Sequence, residues 1–120
     1  MKLKNILLVV EDVERSVSFY KELFGLQVRN DFGGNVILTE GLVLQDRKIW
    51  ESLVDVEIKN GGNASALYFA EHNLEAFQEK LDQCHFEINY LHRLTCYDWG
   101  QKAIRLYDPD GHLIEVGEML

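Results

Sequence analysis

The sequence predicts an α+β fold made of two successive modules of one design. Three observations predict it. Short apolar or alternating strands flank two amphipathic helical stripes. The order strand, helix, several strands occurs twice. The strongest break, Asn60-Gly61-Gly62-Asn63, lies at the midpoint. The expected boundaries are residues 1–60 and 64–120, within a single domain of 120 residues.

In the first half, Ile6 to Val10 is a continuous apolar run, as in a strand buried on both faces. Asp12 is placed to cap a helix, and Glu14 adds favourable charge to its first turn. Val13, Val17, Tyr20, Leu23 and Phe24 form one helical stripe. Gly25 suits a left-handed helix end, so the helix runs from Val13 to Phe24. Leu26 to Arg29 alternates as a strand, and Asn30 to Gly34 is a turn. Val36 to Leu38 and Leu42 to Leu44 are short strands across a turn at Glu40-Gly41. Arg47 to Leu53 holds a helical turn, and Val54 to Ile58 alternates like a strand.

The second half begins with a strand, Ala66 to Ala70. Asn73 caps a helix whose stripe is Leu74, Phe77, Leu81 and Cys84. Ile88 to Leu94 and Ala103 to Tyr107 are strands, with a turn at Trp99-Gly100 between them. Asp108-Pro109-Asp110-Gly111 has the residues a turn requires. Leu113 to Val116 is the last strand. The helix starts Val13 and Leu74 match at an offset of 61 (74 − 13), opposing Asn5 to Ala66 and Leu7 to Tyr68. Gly41 to Gln45 resembles Gly111 to Glu115 at an offset of 70 (111 − 41), which pairs Gln45 with Glu115.

The chain has 20 acidic and 12 basic residues, a formal net charge of −8. That balance argues against nucleic acid or an anionic membrane as partner, since both reward clustered Lys and Arg. Cys84 and Cys96 show no metal-ligand spacing and suit free thiols of a cytoplasmic protein. The run Ile6 to Val10 is too short for a signal core, and no stretch is long enough to span a bilayer. No nucleophile motif or phosphate loop is present.

Two stretches carry a family resemblance. Leu8-Val9-Val10-Glu11-Asp12-Val13 onward to Phe24-Gly25-Leu26 resembles the first module of the vicinal-oxygen-chelate superfamily. Trp99-Gly100 followed by Tyr107-Asp108-Pro109-Asp110-Gly111-His112-Leu113-Ile114-Glu115 resembles the end of the second. The superfamily includes glyoxalase I, bleomycin-resistance proteins and extradiol dioxygenases. The resemblance implies tandem βαβββ modules whose curved mixed sheet surrounds a pocket. In the superfamily's metal enzymes the first and last strands of each module hold a divalent ion that chelates the substrate. The implied positions here are Asn5, Gln45, Ala66 and Glu115. Only Glu115 is of the usual type. Ala66 has no donor, and the two amides are weak ligands, so no metal is favoured.

Other residues suit a pocket. Glu115 can act there as a base or hydrogen-bond acceptor, or simply pair with Arg105. His92 alternates with Tyr90 on a strand that lines the cavity in the superfamily. Tyr97, Trp99 and Trp50 supply aromatic surface for a planar ligand, or for core or interface packing. Tyr68 and Arg105 are further strand positions that could reach the cavity. His72, His85 and His112 suit surface or capping positions. Two functions follow from the resemblance. One is a metal-free binding or sequestration module for a small molecule, as in bleomycin-resistance proteins. The other is a metal-dependent lyase, isomerase or dioxygenase using Glu115. The resemblance also implies a homodimer.

Overall fold

The computed structural model describes residues 1–59 and 61–119. Asn60 of the midpoint break and Leu120 at the end of the second expected module lie outside the described residues. The chain divides into two compact units, Met1–Lys59 and Asn60–Leu120. The first contains β1 (Ile6–Val10), α1 (Val13–Phe24), β2 (Val28–Asp31), β3 (Asn35–Leu38), β4 (Leu42–Asp46) and α2 (Arg47–Val54). The second contains β5 (Leu67–Glu71), α3 (Leu74–Gln83), β6 (Asn89–Cys96), β7 (Lys102–Tyr107) and β8 (Leu113–Glu118). The sheet orders are β1-β4-β3-β2 and β5-β8-β7-β6. In each, the first strand pairs parallel to the last, and the other pairings are antiparallel. Both units are therefore βαβββ modules with mixed, open sheets. Among the described residues, no helix is long and apolar enough to cross a membrane.

The helices start and stop where local chemistry directs. Asp12 accepts the Arg15 N–H at 3.1 Å, and Asn73 accepts that of Ala76 at 3.0 Å. Gly25 takes φ 72° and donates its N–H to the Lys21 carbonyl. Leu26 bonds back to Tyr20 and is buried, completing the helix-end motif. That closure delays β2 to Val28, two residues beyond the expected start. α1 buries Phe19, Tyr20 and Leu23, while α3 buries Leu74, Phe77 and Leu81. Leu44, Ile104, Leu106, Ile114 and Val116 complete the two cores from the helix-covered faces of the sheets.

Two expectations are corrected. β1 is not buried on both faces, because Ile6 and Leu7 are exposed. Among the described residues it is an edge strand whose only strand partner is β4. Val54 to Ile58 is not a strand. Asp55 turns left-handed at φ 50° and ends α2. The Arg47 Nη2 then donates to the Ile58 carbonyl at 3.2 Å, so this segment folds back locally instead of joining a sheet.

The internal repeat slips between its first and last strands. Ile6 pairs with Leu42, and Leu67 pairs with Ile114, so the spacing is 36 residues (42 − 6) in the first unit and 47 (114 − 67) in the second. The hairpin pairs Asn35–Gln45 and Arg105–Glu115 match at the expected 70 (105 − 35, 115 − 45). Gln45 and Glu115 therefore hold equivalent hairpin positions, and the slip lies against the first strands. Gly41 and Gly111 match in sequence because both hold left-handed turns, at φ 80° and 89°.

Candidate functional site

The second unit gathers most of the candidate residues into one row. Tyr68 on β5 lies opposite Glu115 on β8, Glu115 opposite Arg105 on β7, and Arg105 opposite His92 on β6. Residues in such register share a face and lie within side-chain reach. Their neighbours Ile104, Leu106, Ile114 and Val116 point the other way, into the α3 core. Alternation therefore places the row on the face α3 does not cover.

Arg105 is the centre of the row. Its Nε donates to Glu115 Oε1 at 2.6 Å. Its Nη1 donates to the Tyr97 hydroxyl at 2.5 Å and meets His92 Nε2 at 2.8 Å. Burial opposes the guanidinium charge, but the bonds to Glu115 and Tyr97 outweigh it and raise the Arg105 pKa. His92 Nδ1 lies 2.8 Å from the Arg93 carbonyl, which can only accept. That assigns the proton to Nδ1 and leaves Nε2 as the acceptor for Arg105. The Arg105 charge faces that of Glu115.

The aromatic residues extend the site. Tyr97 and Trp99 stack with ring centres 4.7 Å apart and planes 6° apart. Trp99 is exposed, not a core residue, yet its indole N–H donates to Gln101 Oε1 at 3.0 Å. The turn beneath is closed by Gly100 N to the Tyr97 carbonyl and Tyr97 N to the Gln101 carbonyl, each 2.8 Å. Tyr68, Trp99, Gly100, Gln101 and Glu118 enclose a hollow of about 340 Å³.

Tyr90 does not share the His92 face. The register shifts between Tyr90, paired with Leu106, and His92, paired with Arg105. This bulge turns Tyr90 toward α3. There its hydroxyl accepts from Gln78 Nε2 at 2.8 Å, and Arg93 pairs with Asp82 at 2.7 Å. Gln78 also accepts the Leu94 N–H at 2.9 Å, so α3 fastens the bulged strand.

Gly117 is a site residue that sequence reasoning missed. A Cβ there would collide with the Tyr68 hydroxyl and ring. Its spacing of two from Glu115 on one strand was the available signal. Gly117→Ala is expected to lower stability by about 1 kcal/mol in the natural chain. In a Tyr68→Ala background the same change should be neutral or stabilising. Urea unfolding of the four chains measures the coupling, and equal effects in both backgrounds would refute the contact.

The first unit does not unite its candidates. Gln45 is buried and accepts from Asn35 Nδ2 at 2.7 Å. Asn5 is exposed just before β1, beside Gly41. Gln45 pairs with Val9, four residues further along, or about 13 Å. Trp50 is half-buried on α2. His72 and His85 are exposed. His112 instead holds buried Asp108, with Nδ1 to Oδ2 at 2.8 Å.

The residues do not fit the divalent ion that the fold family implies. Ala66 has no donor, and the Gln45 oxygen is engaged by Asn35. Glu115 is ion-paired to Arg105, whose charge would repel a cation. Among the described residues, no cluster of three His, Cys, Asp or Glu is placed to hold a metal.

Comparison with known proteins gives a family match. A model of the glyoxalase-like domain family matches residues 3–120. No curated protein matches the chain. A protein of unknown function from Agrobacterium tumefaciens strain C58 is 33% identical. The match covers 100% of this chain and 95% of that one, with a TM-score of 0.84. A glyoxalase-related enzyme from Fulvimarina pelagi is 22% identical, over 98% of this chain and 88% of that one, with a TM-score of 0.79. A lactoylglutathione lyase from Agrobacterium tumefaciens is 21% identical, over 98% and 92%, with a TM-score of 0.70. At such identities the last two show a shared fold.

Proposed function

Because the chain belongs to the glyoxalase-like domain family, we propose that it serves there as a small-molecule binding or sequestration module. The observation that carries this reading is the 2.6 Å bond between Arg105 and Glu115. The carboxylate at the position where the superfamily's enzymes hold metal is engaged by an internal cation. What remains is a neutralised polar row beside the stacked Tyr97 and Trp99. Such a surface binds by aromatic contact and a few directed hydrogen bonds. The superfamily resemblance also supports a homodimer, and the free thiols Cys84 and Cys96 support a cytoplasmic location.

A thermal-shift screen of planar and amphipathic compounds tests the reading. A binder present at a hundred times its Kd is expected to stabilise the protein by about 2.7 kcal/mol. Trp99→Ala should reduce that shift. A screen with no stabilising compound, together with Glu115-dependent stabilisation by Ni²⁺ or Mn²⁺, would overturn the proposal in favour of a metal enzyme.

A further inference from the structure

The hollow beside the row suggests what the ligand carries. Its lining includes two aromatic residues, Tyr68 and Trp99, and one acidic residue, Glu118. We propose that it takes an organic cation, a quaternary or alkylated ammonium group on a larger ligand. This inference rests on the binding reading above and adds the chemical class to it.

Charge supports a cation over an anion. Glu118 accepts the Lys102 N–H at 3.3 Å through one oxygen and forms no ion pair among the described residues. Of the two nearby cations, Lys102 attracts Glu118 only at longer range, and both make their close ion pairs with other carboxylates. Lys102 Nζ sits 2.9 Å from Glu75, and Arg105 faces Glu115. An uncharged ligand covering the rim would strip water from Glu118 and return nothing. A cation would replace that hydration with direct attraction, and ring faces attract it too. The chain's net charge of −8 favours its approach.

Preorganisation supports a binding wall at Trp99. Although 72% exposed, the indole is braced by Tyr97 on one side and anchored by Gln101 through its N–H. Ordering it on binding therefore costs little entropy. Tyr68 is 57% exposed and lies over Gly117, the position where any larger residue would displace it. A quaternary ammonium with its methyl shell is small enough for a hollow of about 340 Å³.

The test compares choline with its carbon isostere, in which a tert-butyl group replaces trimethylammonium. Calorimetry on the natural chain measures both. Fluorescence of a Trp50→Phe chain, whose remaining indole is Trp99, reports where binding occurs. Choline is expected to bind saturably, at least tenfold more tightly than the isostere, and more weakly as salt is raised. Glu118→Gln and Trp99→Ala should each weaken it at least fivefold. Equal or tighter binding of the isostere would overturn the proposal. So would absence of saturable choline binding. If neutral planar compounds still bind, the cation class alone falls. If no compound binds, the binding reading falls with it.

Discussion

Asp108→Ala is expected to lower the free energy of unfolding by about 3 kcal/mol. The Asp108 side chain is fully buried in the turn before β8. Its Oδ1 accepts the N–H groups of Asp110 and His112, each at 2.9 Å. Its Oδ2 meets His112 Nδ1 at 2.8 Å. Alanine leaves these donors without the acceptor that orders the turn. Asp108→Asn keeps a carbonyl oxygen but loses the charge, so its loss should be smaller. Equilibrium urea unfolding ranks the chains, and a loss below about 1 kcal/mol for alanine would contradict this role.

The same pair sets a pH dependence. Burial opposes charge on His112, but Asp108, with help from Asp110, outweighs it and raises the imidazole above its ordinary 6.5. The folded state then holds the proton more tightly than the unfolded chain. Its contribution is complete below the unfolded value and is lost as pH rises through the folded one. Natural-chain stability relative to Asp108→Asn should therefore fall as pH rises from below 6.5 through the raised folded-state value. A difference that is flat or grows with pH would contradict the assignment.

Arg105→Met is expected to destabilise the chain by about 1–2 kcal/mol. The pair is partly exposed, at 26% for Arg105 and 19% for Glu115, so solvent weakens it relative to a fully buried one. The loss leaves Glu115 without its cation and His92 and Tyr97 without their shared donor. Arg105→Met with Glu115→Gln should recover much of it, since the isolated carboxylate is then removed. A double-mutant cycle reads the coupling. Additive losses would show that the two residues do not act as a pair. Ligand binding should weaken as well, because Arg105 also orients Tyr97, the residue on which Trp99 stacks.

The helix boundaries were legible because their causes are local. An Asp or Asn cap and an apolar stripe, joined in α1 by the following Gly25, lie within a few residues of one another. Most strand positions were legible too, since alternation and breakers mark them. Glu115 and Arg105 were each recognisable as candidates, and so was the possibility that they pair. Val54 to Ile58 misled because its alternation is genuine, yet no strand edge receives it.

Placement of the site depended on long-range register. A period of two predicts which face a residue occupies only until the ladder gains one residue. The bulge between Tyr90 and His92 reverses that inference, and Gln78 of α3 fastens the bulged strand from a different element. Likewise, the parallel pairing slips by two residues between the units, although the hairpins keep Gln45 and Glu115 equivalent. Local chemistry was therefore enough for two βαβββ modules and their turns. Which side chains meet, and that Arg105 occupies the carboxylate, followed from strand pairing across ten or more residues, where no local propensity speaks.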